Sequence, residues 1–141
     1  MKPGKDEFMT MSNRIRSFAN DIMGDTEMQY HIDIAPEADT AIIDITIRKN
    51  IIFITKEAIN NTVKYSKATT LSVTLKVKKG YASLSISDNG IGFITQQPRG
   101  NGIENMKRRV TEMAGEWQLQ TAPMQGTTIN ITIPLNRHQD T

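Results

Sequence analysis

The chain has 141 residues, 38% of them hydrophobic, and a formal net charge of +2 at pH 7. This length suits one domain with a single hydrophobic core, and so small a net charge does not by itself indicate a nucleic-acid partner. No uncharged stretch is long enough to cross a bilayer, and the absence of cysteine excludes disulfides and thiolate chemistry while permitting a cytoplasmic compartment.

Two amphipathic helices with a strand between them are predicted in the first half of the chain. Residues 6–23 place apolar side chains, among them Phe8 and Ile22, at helical spacings, and Gly24 is expected to end this helix. Alternation over residues 30–34 predicts a half-buried strand. The second helix is expected to run to about Ser66. Its apolar face consists of Ile47, Ile51, Ile54 and Ala58.

A hairpin, a third helix and a final pair of strands are predicted in the second half. Residues 71–77 and 82–86 alternate between apolar and polar side chains, with Lys79-Gly80 as the turn between them. A helix that begins at Gly102 is expected to end at Gly115. The last two strands are marked by Trp117, Leu119, Ile129, Ile131 and Ile133.

The predicted elements follow the order helix, strand, helix, two strands, helix, two strands. This order lacks the regular alternation of strand and helix that builds a doubly wound parallel sheet. We therefore predict an α+β fold, a two-layer sandwich of helices on a sheet. The densest basic run, residues 107–109, lies in the third helix and is interpreted as a solvated face of that helix.

Four polar residues of the second helix share one stripe at α-helical spacing: Glu57, Asn61, Lys64 and Tyr65. An amide oxygen beside a carboxylate would suit a nucleotide-bound magnesium ion, because Mg²⁺ takes few protein oxygens together with phosphates and waters. For this helix considered alone, a solvent-exposed face is the simpler interpretation.

Asp88 is expected to end a strand just before Gly90 and Gly92. A carboxylate there could accept a hydrogen bond from an adenine amino group, while the glycines let the backbone approach the ring. The alternative is an ordinary turn, since Asn89-Gly90 between apolar residues is also a hairpin signal.

Two further segments add polar groups that could face a ligand. Gly100 and Gly102 open the third helix, whose free amide groups would favour phosphate. Thr127 could donate a hydrogen bond into a pocket, although turn chemistry also explains a threonine there. No G-x-x-x-x-G-K-[ST] or H-E-x-x-H motif occurs, so neither a P-loop enzyme nor a zinc protease is predicted.

Four segments together resemble the motifs of the GHKL (Bergerat-fold) ATPases. Residues 54–66 resemble the N box, residues 88–93 the D-x-G-x-G box, and residues 99–109 the second glycine box in its G-x-G-x-x-N-M form. Residues 126–134 resemble the last box and strand. The resemblance covers about residues 30–135 and is closest to sensor histidine kinases of the subgroup commonly paired with LuxR-type response regulators.

The resemblance implies ATP and Mg²⁺ as cofactors and assigns the polar stripe of the second helix to the phosphates. Asn61 is expected to help hold the metal, and Glu57, also at the metal, to orient or activate the attacking group at the γ-phosphate. Lys64 and Tyr65 would lie near the phosphates. Thr62 stands where alanine is common in these kinases, a departure that should not prevent nucleotide binding.

The remaining site residues are assigned to the adenine and to the shape of the pocket. Asp88 is expected to bind the adenine amino group, with Thr127 supporting that side. The pocket and its short lid would be shaped by Gly90, Gly92, Gly100 and Gly102. The implied fold is a mixed, largely antiparallel sheet covered by helices on one face.

The resemblance also implies the domain organisation and the partners. We expect a linker-like helical extension at residues 1–25, the ATP-binding catalytic domain at residues 26–136, and a disordered tail at residues 137–141. The phosphate acceptor in such kinases is a histidine on a dimerising helical hairpin, a setting that neither His31 nor His138 has. The chain is therefore expected to be part of a longer protein histidine kinase.

As such a part, the chain is expected to be a monomer that lies in the cytoplasm without touching the membrane. Its partners would be the acceptor hairpin and a response regulator, with no nucleic acid. The main alternative is a free-standing anti-sigma-factor serine kinase of the same fold. A degenerate interaction domain is a further alternative, although Glu57 and Asn61 are retained.

Overall fold

The computed structural model describes residues 10–91 and 102–135. The predicted order of elements is confirmed, with one short additional helix, α2, in the stretch expected to be a polar loop. The predicted helix start at residue 6 and the tail at residues 137–141 lie outside the described residues. The elements are α1 (Met11–Met23), β1 (Gln29–Ile34), α2 (Ala38–Ala41), α3 (Ile45–Asn61) with a π-helical turn (Thr62–Ser66), β2 (Thr70–Lys78), β3 (Tyr81–Asp88), α4 (Gly102–Glu112), β4 (Glu116–Thr121) and β5 (Thr127–Pro134).

The five strands form one sheet in the order β1-β2-β3-β5-β4. β1 pairs with β2 in parallel, and the other three pairings are antiparallel. The sheet is therefore mixed and largely antiparallel, as predicted. The hairpin turn between β2 and β3 is at Lys79 and Gly80, which have φ angles of 49° and 86°. Two successive left-handed residues are the geometry of the tight turns that match strand twist.

The helices cover one face of this sheet. Successive side chains of a strand point to opposite faces, so each strand has one buried and one exposed set of side chains. In β2, for example, Leu71, Val73 and Leu75 are buried while Ser72 and Lys76 are exposed. The predicted apolar face of α3 is confirmed, since all four of its residues lie in the core: Ile47, Ile51, Ile54 and Ala58. None of the helices within residues 10–91 and 102–135 combines the length and the apolar character that spanning a bilayer requires.

The first helix packs into the same core as the sheet. Its fully buried side chains are Met11, Ile15, Ala19 and Met23, and Phe18 and Ile22 are half-buried beside them. Its first turn is tied to α2, because the amide and hydroxyl of Ser12 both donate to the carboxylate of Asp39, at 3.1 and 2.5 Å. The division of the chain at residue 25 stays a prediction.

The predicted end of α1 at Gly24 is confirmed, whereas the end of α4 differs in detail from the prediction. Gly24 caps α1 in a right-handed conformation, with φ of −62°. After α4 the left-handed residue is Ala114, with φ of 57°, and not Gly115. The amide of Gly115 donates to the carbonyl of Val110 at 2.9 Å, which closes the last turn.

Candidate functional site

A cleft opens where the end of α3, the end of β3 and the starts of α4 and β5 meet. The cleft is partly open to solvent. Three of the predicted site residues, Asn61, Asp88 and Thr127, line it together. The complete lining is Ala58, Asn61, Thr62, Ser66, Ile86, Asp88, Ile103, Thr127 and Ile129.

Asp88 is the last residue of β3, and its carboxylate is held from two sides. Oδ1 accepts a hydrogen bond of 2.8 Å from the amide of Gly90, and Oδ2 accepts one of 3.2 Å from the hydroxyl of Thr62. Because each carboxylate oxygen carries two lone pairs, both can accept a further donor. Asp88 is therefore a fixed acceptor, half-buried in the cleft.

The loop after Asp88 lies directly on the π-helical turn. The amide of Ile91 donates to the carbonyl of Ser66 at 2.7 Å. A Cβ at Gly90 would lie 2.3 Å from that same carbonyl oxygen, so only glycine allows this approach. Oδ1 of Asn89 accepts from the amides of Thr69 and Thr70, both at 2.9 Å. Asn89-Gly90 is thus not the hairpin turn that its sequence also suggested.

The start of β5 closes the cleft beside Asp88. Gly126 has φ of 80°, and a Cβ there would lie 2.2 Å from the carbonyl oxygen of Asp88. Thr127 is the cross-strand neighbour of Asp88. Its hydroxyl lies 3.0 Å from that of Thr121, at hydrogen-bond distance. The threonine hydroxyl is therefore held at the same end of the cleft as the carboxylate.

The start of α4 lies against the polar stripe of α3. Gly102 is buried, and a Cβ added to it would lie 2.8 Å from Oε2 of Glu57 and 3.1 Å from Nδ2 of Asn61. The carboxylate and the amide thus converge on the first turn of α4. A helix leaves its first amides without helical partners, so this end of the cleft is suited to an anion.

The same two side chains fit a magnesium ion that arrives with a nucleotide. One carboxylate and one amide oxygen supply few ligands, and Mg²⁺ usually completes its octahedron with phosphate oxygens and waters. Across residues 10–91 and 102–135 there is no group of three or more His, Asp or Glu side chains that could cage an ion. The donor set therefore suits an ion shared with phosphates.

Several predicted site residues lie away from the cleft or outside the described residues. Lys64 is exposed on the π-helical turn and does not line the cleft. The α-helical period on which the predicted stripe rests ends at Asn61, because the next five residues form the wider turn. The side chain of Tyr65, and Gly92 and Gly100, lie outside the described residues.

Two cleft residues, Thr62 and Ser66, were not predicted as part of the site. Both are buried, and the hydroxyl of Ser66 donates to the carbonyl of Thr62 at 2.7 Å. The hydroxyl of Thr62 is a separate group and donates to Asp88. The available signal was a pair of hydroxyl residues four positions apart at the end of an isoleucine-rich helix.

Comparison with known proteins agrees with this arrangement. Residues 46–137 match the family described as histidine kinase-, DNA gyrase B-, and HSP90-like ATPase. Sensor protein VraS of Staphylococcus haemolyticus is 35% identical over 96 residues, which cover 67% of this chain and 28% of VraS. VraS of Staphylococcus epidermidis is 29% identical over 122 residues, 85% of this chain and 35% of VraS. The chain thus spans about a third of the length of these relatives.

Solved structures share the fold at lower sequence identity. The histidine kinase domain from the Erythrobacter litoralis EL346 blue-light activated histidine kinase has a TM-score of 0.73 at 17% identity, covering 97% of this chain and 66% of that one. Full-length ShkA in complex with AMPPNP has a TM-score of 0.68 at 16% identity, covering 89% of this chain and 30% of ShkA. With a family match over more than half of its residues, the chain belongs to the histidine kinase-, DNA gyrase B-, and HSP90-like ATPases.

Proposed function

We propose that this chain is the ATP-binding catalytic domain of a two-component sensor histidine kinase. It transfers the γ-phosphoryl group of ATP to a histidine on a dimerisation domain that lies outside this chain. The observation that carries the proposal is the cleft, which has the fixed carboxylate of Asp88 and the amide of Asn61 in its lining, with the carboxylate of Glu57 beside Asn61 at the adjoining start of α4.

Asp88 and its neighbours form the adenine end. The remaining lone pairs of its carboxylate accept the exocyclic amino group of adenine, and the amide of Gly90 and the hydroxyl of Thr62 hold that carboxylate in place. The ring packs against the isoleucines that line the cleft, which suits a flat apolar surface. Thr127 supports this end as the strand neighbour of Asp88.

Glu57 and Asn61 form the phosphate end with the first turn of α4. Magnesium bound there would neutralise the charge of the phosphates. Asn61 would hold that ion, and Glu57 would orient the attacking group at the γ-phosphate. Phosphoryl transfer requires positioning and charge neutralisation more than covalent chemistry from the protein, so this small set of groups is sufficient. Tyr65, Gly92 and Gly100 keep their proposed places around the phosphates and the lid. Lys64 keeps its proposed place near the phosphates, although its side chain does not line the cleft.

The partners follow from the relatives, which are sensor proteins about two and a half times as long as this chain. The acceptor histidine comes from the dimerisation domain, and the phosphoryl group passes on to a response regulator of the LuxR type. His31 is exposed on the edge strand β1 and does not line the cleft, so it is not the acceptor. The domain works on the cytoplasmic side as a monomer.

Calorimetric titration with Mg-ATP tests the adenine assignment. Asp88→Asn removes a charged acceptor and should weaken binding by about 1.5 to 3 kcal/mol. Asp33→Asn is the matched control, because Asp33 is exposed on β1 away from the cleft. Equal affinities of the wild-type chain and Asp88→Asn would show that the adenine lies elsewhere.

Phosphotransfer to a separately produced acceptor hairpin tests the reaction. The chain, the hairpin and γ-labelled ATP should together yield acid-labile phosphohistidine on the hairpin. Transfer to a serine of a protein partner, with no phosphohistidine, would instead favour the anti-sigma-factor kinase. The similarity to the VraS sensor proteins favours the first outcome.

A further inference from the structure

Arg109 joins α4 to α3 at a distance from the cleft. Its guanidinium carbon lies 3.9 Å from the centre of the Phe53 ring, and its Nη1 donates a 2.9 Å hydrogen bond to Oδ1 of Asn50. Asn50 is only 2% exposed. The basic run was interpreted as a solvated face, which holds for the exposed Lys107 and Arg108 but is wrong for the half-buried Arg109.

The partners of Arg109 belong to the same face of α3 as the predicted phosphate residues. Asn50, Phe53, Glu57 and Asn61 follow one another at spacings of three, four and four, which places them along one side of a helix. α4 meets this side at two points, with Gly102 beside Glu57 and Asn61 and Arg109 beside the other two. The two helices therefore run in opposite directions along their contact.

The two contact points are separated by similar lengths of both helices. From Gly102 to Arg109 is seven residues of α4, about 10.5 Å along the axis. From Asn50 to Glu57 is likewise seven residues of α3. A contact at Arg109 consequently fixes where the first turn of α4 stands relative to Glu57.

The contact made by Arg109 is more directional than the apolar packing around it. Met106 and Val110 bury side chains from the same helix, and apolar packing is non-directional. A planar guanidinium that stacks on a ring and donates in its own plane has one good position. Displacement of α4 by one turn, about 5.4 Å, would break the stack and leave the carbonyl of a buried asparagine without its donor.

The hydrogen-bonding state of the pair makes it sensitive to change. Within the described residues, Nδ2 of Asn50 and Nε of Arg109 are buried without hydrogen-bond partners. The hydrogen bond from Nη1 of Arg109 to Oδ1 of Asn50 is thus the polar contact between these two side chains. Its loss is not compensated by a second bond between them.

We infer that Arg109 is a positioning residue for the phosphate end of the nucleotide site. It sets the axial register of α4 on α3, and through it the placement of Gly102 beside Glu57 and Asn61. The inference rests on the proposed function. The adenine end depends on this register only through Ile103, the one lining residue that belongs to α4. Its polar groups, Asp88, Gly90 and Thr62, belong to β3, its following loop and the π-helical turn.

The test compares a ligand that reaches both ends of the site with a ligand that reaches one. Binding of Mg-ATP and of adenosine is measured for the wild-type chain, for Arg109→Lys and for Arg108→Lys. Lysine keeps the charge but cannot stack as a plane. We expect Arg109→Lys to weaken Mg-ATP by about tenfold and adenosine by less than about twofold. Arg108→Lys, the same substitution at the exposed neighbour, should change neither.

A second pair of variants separates positioning from folding. Asn50→Asp keeps an acceptor oxygen for Arg109 and should keep the preference for Mg-ATP over adenosine. Asn50→Leu removes that acceptor oxygen and should lose the preference. Equal weakening of both ligands in Arg109→Lys, or a preference retained in Asn50→Leu, would overturn the inference. If the wild-type chain bound neither ligand, the proposed function would fail and the inference with it.

Discussion

Gly102 lies between two polar side chains, and the effect of a methyl group there follows from what it would meet. An added Cβ would lie 2.8 Å from Oε2 of Glu57, the far end of a flexible side chain. The carboxylate can move aside at little cost to the fold, but it then leaves its place at the phosphate end. Gly102→Ala should therefore weaken Mg-ATP by about tenfold, or about 1.4 kcal/mol.

The stability of this variant should not fall, because alanine is a better helix former than glycine. Calorimetry gives the affinity, and urea unfolding gives the stability. Lys107→Ala is the control, as an exposed position on the same helix. An unchanged affinity in Gly102→Ala would mean that the position of Glu57 does not matter for nucleotide binding.

A methyl group at Gly90 should affect stability, in contrast to one at Gly102, because the nearest atoms are the backbone and the Cβ of Ser66 and not the end of a flexible side chain. A Cβ there would lie 2.3 Å from the carbonyl oxygen of Ser66 and 2.6 Å from its Cβ. Neither can yield without disturbing the π-helical turn. Gly90→Ala should lower the free energy of unfolding by about 1 to 3 kcal/mol, the usual cost of overpacking. Urea unfolding measures this cost, and a stability within about 0.5 kcal/mol of wild type would show that the loop adapts.

Single residues were predictable from the sequence where a local pattern defined them. The place of Asp88 at the end of β3 was predictable, because strand alternation ends there and glycines follow. Thr62 was not, because its contact with Asp88 joins residues 26 positions apart. Arg109 was misjudged for the same reason, since its partner Asn50 is 59 positions away. Charge and spacing alone gave no sign that one arginine of the basic run would be half-buried.

Among the elements, α3 shows most clearly what the apolar periodicity can and cannot predict. The apolar residues predicted its buried face and its end near Ser66. They could not predict the π-helical turn over the last five residues, or the left-handed Lys67 that follows with φ of 55°. The carbonyl of Ser66 is engaged by Ile91, a contact remote in sequence. Such turns often mark functional sites, and this one places Thr62 and Ser66 in the cleft.

The end of α4 offers a test of backbone strain. Ala114 has φ of 57°, a conformation that costs a residue with a Cβ about 1 to 2 kcal/mol. Ala114→Gly removes this strain, and part of the gain is lost to the greater freedom of glycine in the unfolded chain. The free energy of unfolding should rise by about 0.5 to 1 kcal/mol, measured in urea.

The matched control for this test has the opposite sign. Ala41 is exposed at the end of the right-handed helix α2. Ala41→Gly should lower stability by about 0.5 to 1 kcal/mol, because no strain is relieved there. If both substitutions destabilised the chain equally, the left-handed conformation of Ala114 would not be a source of strain.

For the molecule as a whole, the sequence predicted the layers of the fold, the β2–β3 hairpin and the final pair of strands, but not the other two pairings within the sheet. Alternation shows which side chains of a strand face the core, and it correctly predicted the side chains that lie under the helices. It does not show that β5 lies between β3 and β4, or that β1 pairs in parallel with β2. The pairings of β3 with β5 and of β1 with β2 join segments far apart in sequence. The family resemblance supplied the mixed sheet, which the structure confirms.

The place of α1 in the whole molecule leads to the last prediction. Ile15 is 1% exposed and lies in the same core as the sheet. Ile15→Ala should therefore lower the free energy of unfolding by about 2 to 5 kcal/mol, the cost of a buried isoleucine truncation. Asp21→Ala, an exposed change on the same helix, should stay within about 0.5 kcal/mol of wild type. Because no α1 residue lines the cleft, Mg-ATP affinity should be unchanged while the variant is folded. An Ile15→Ala chain as stable as wild type would make α1 a separable extension, in agreement with a domain that begins at residue 26.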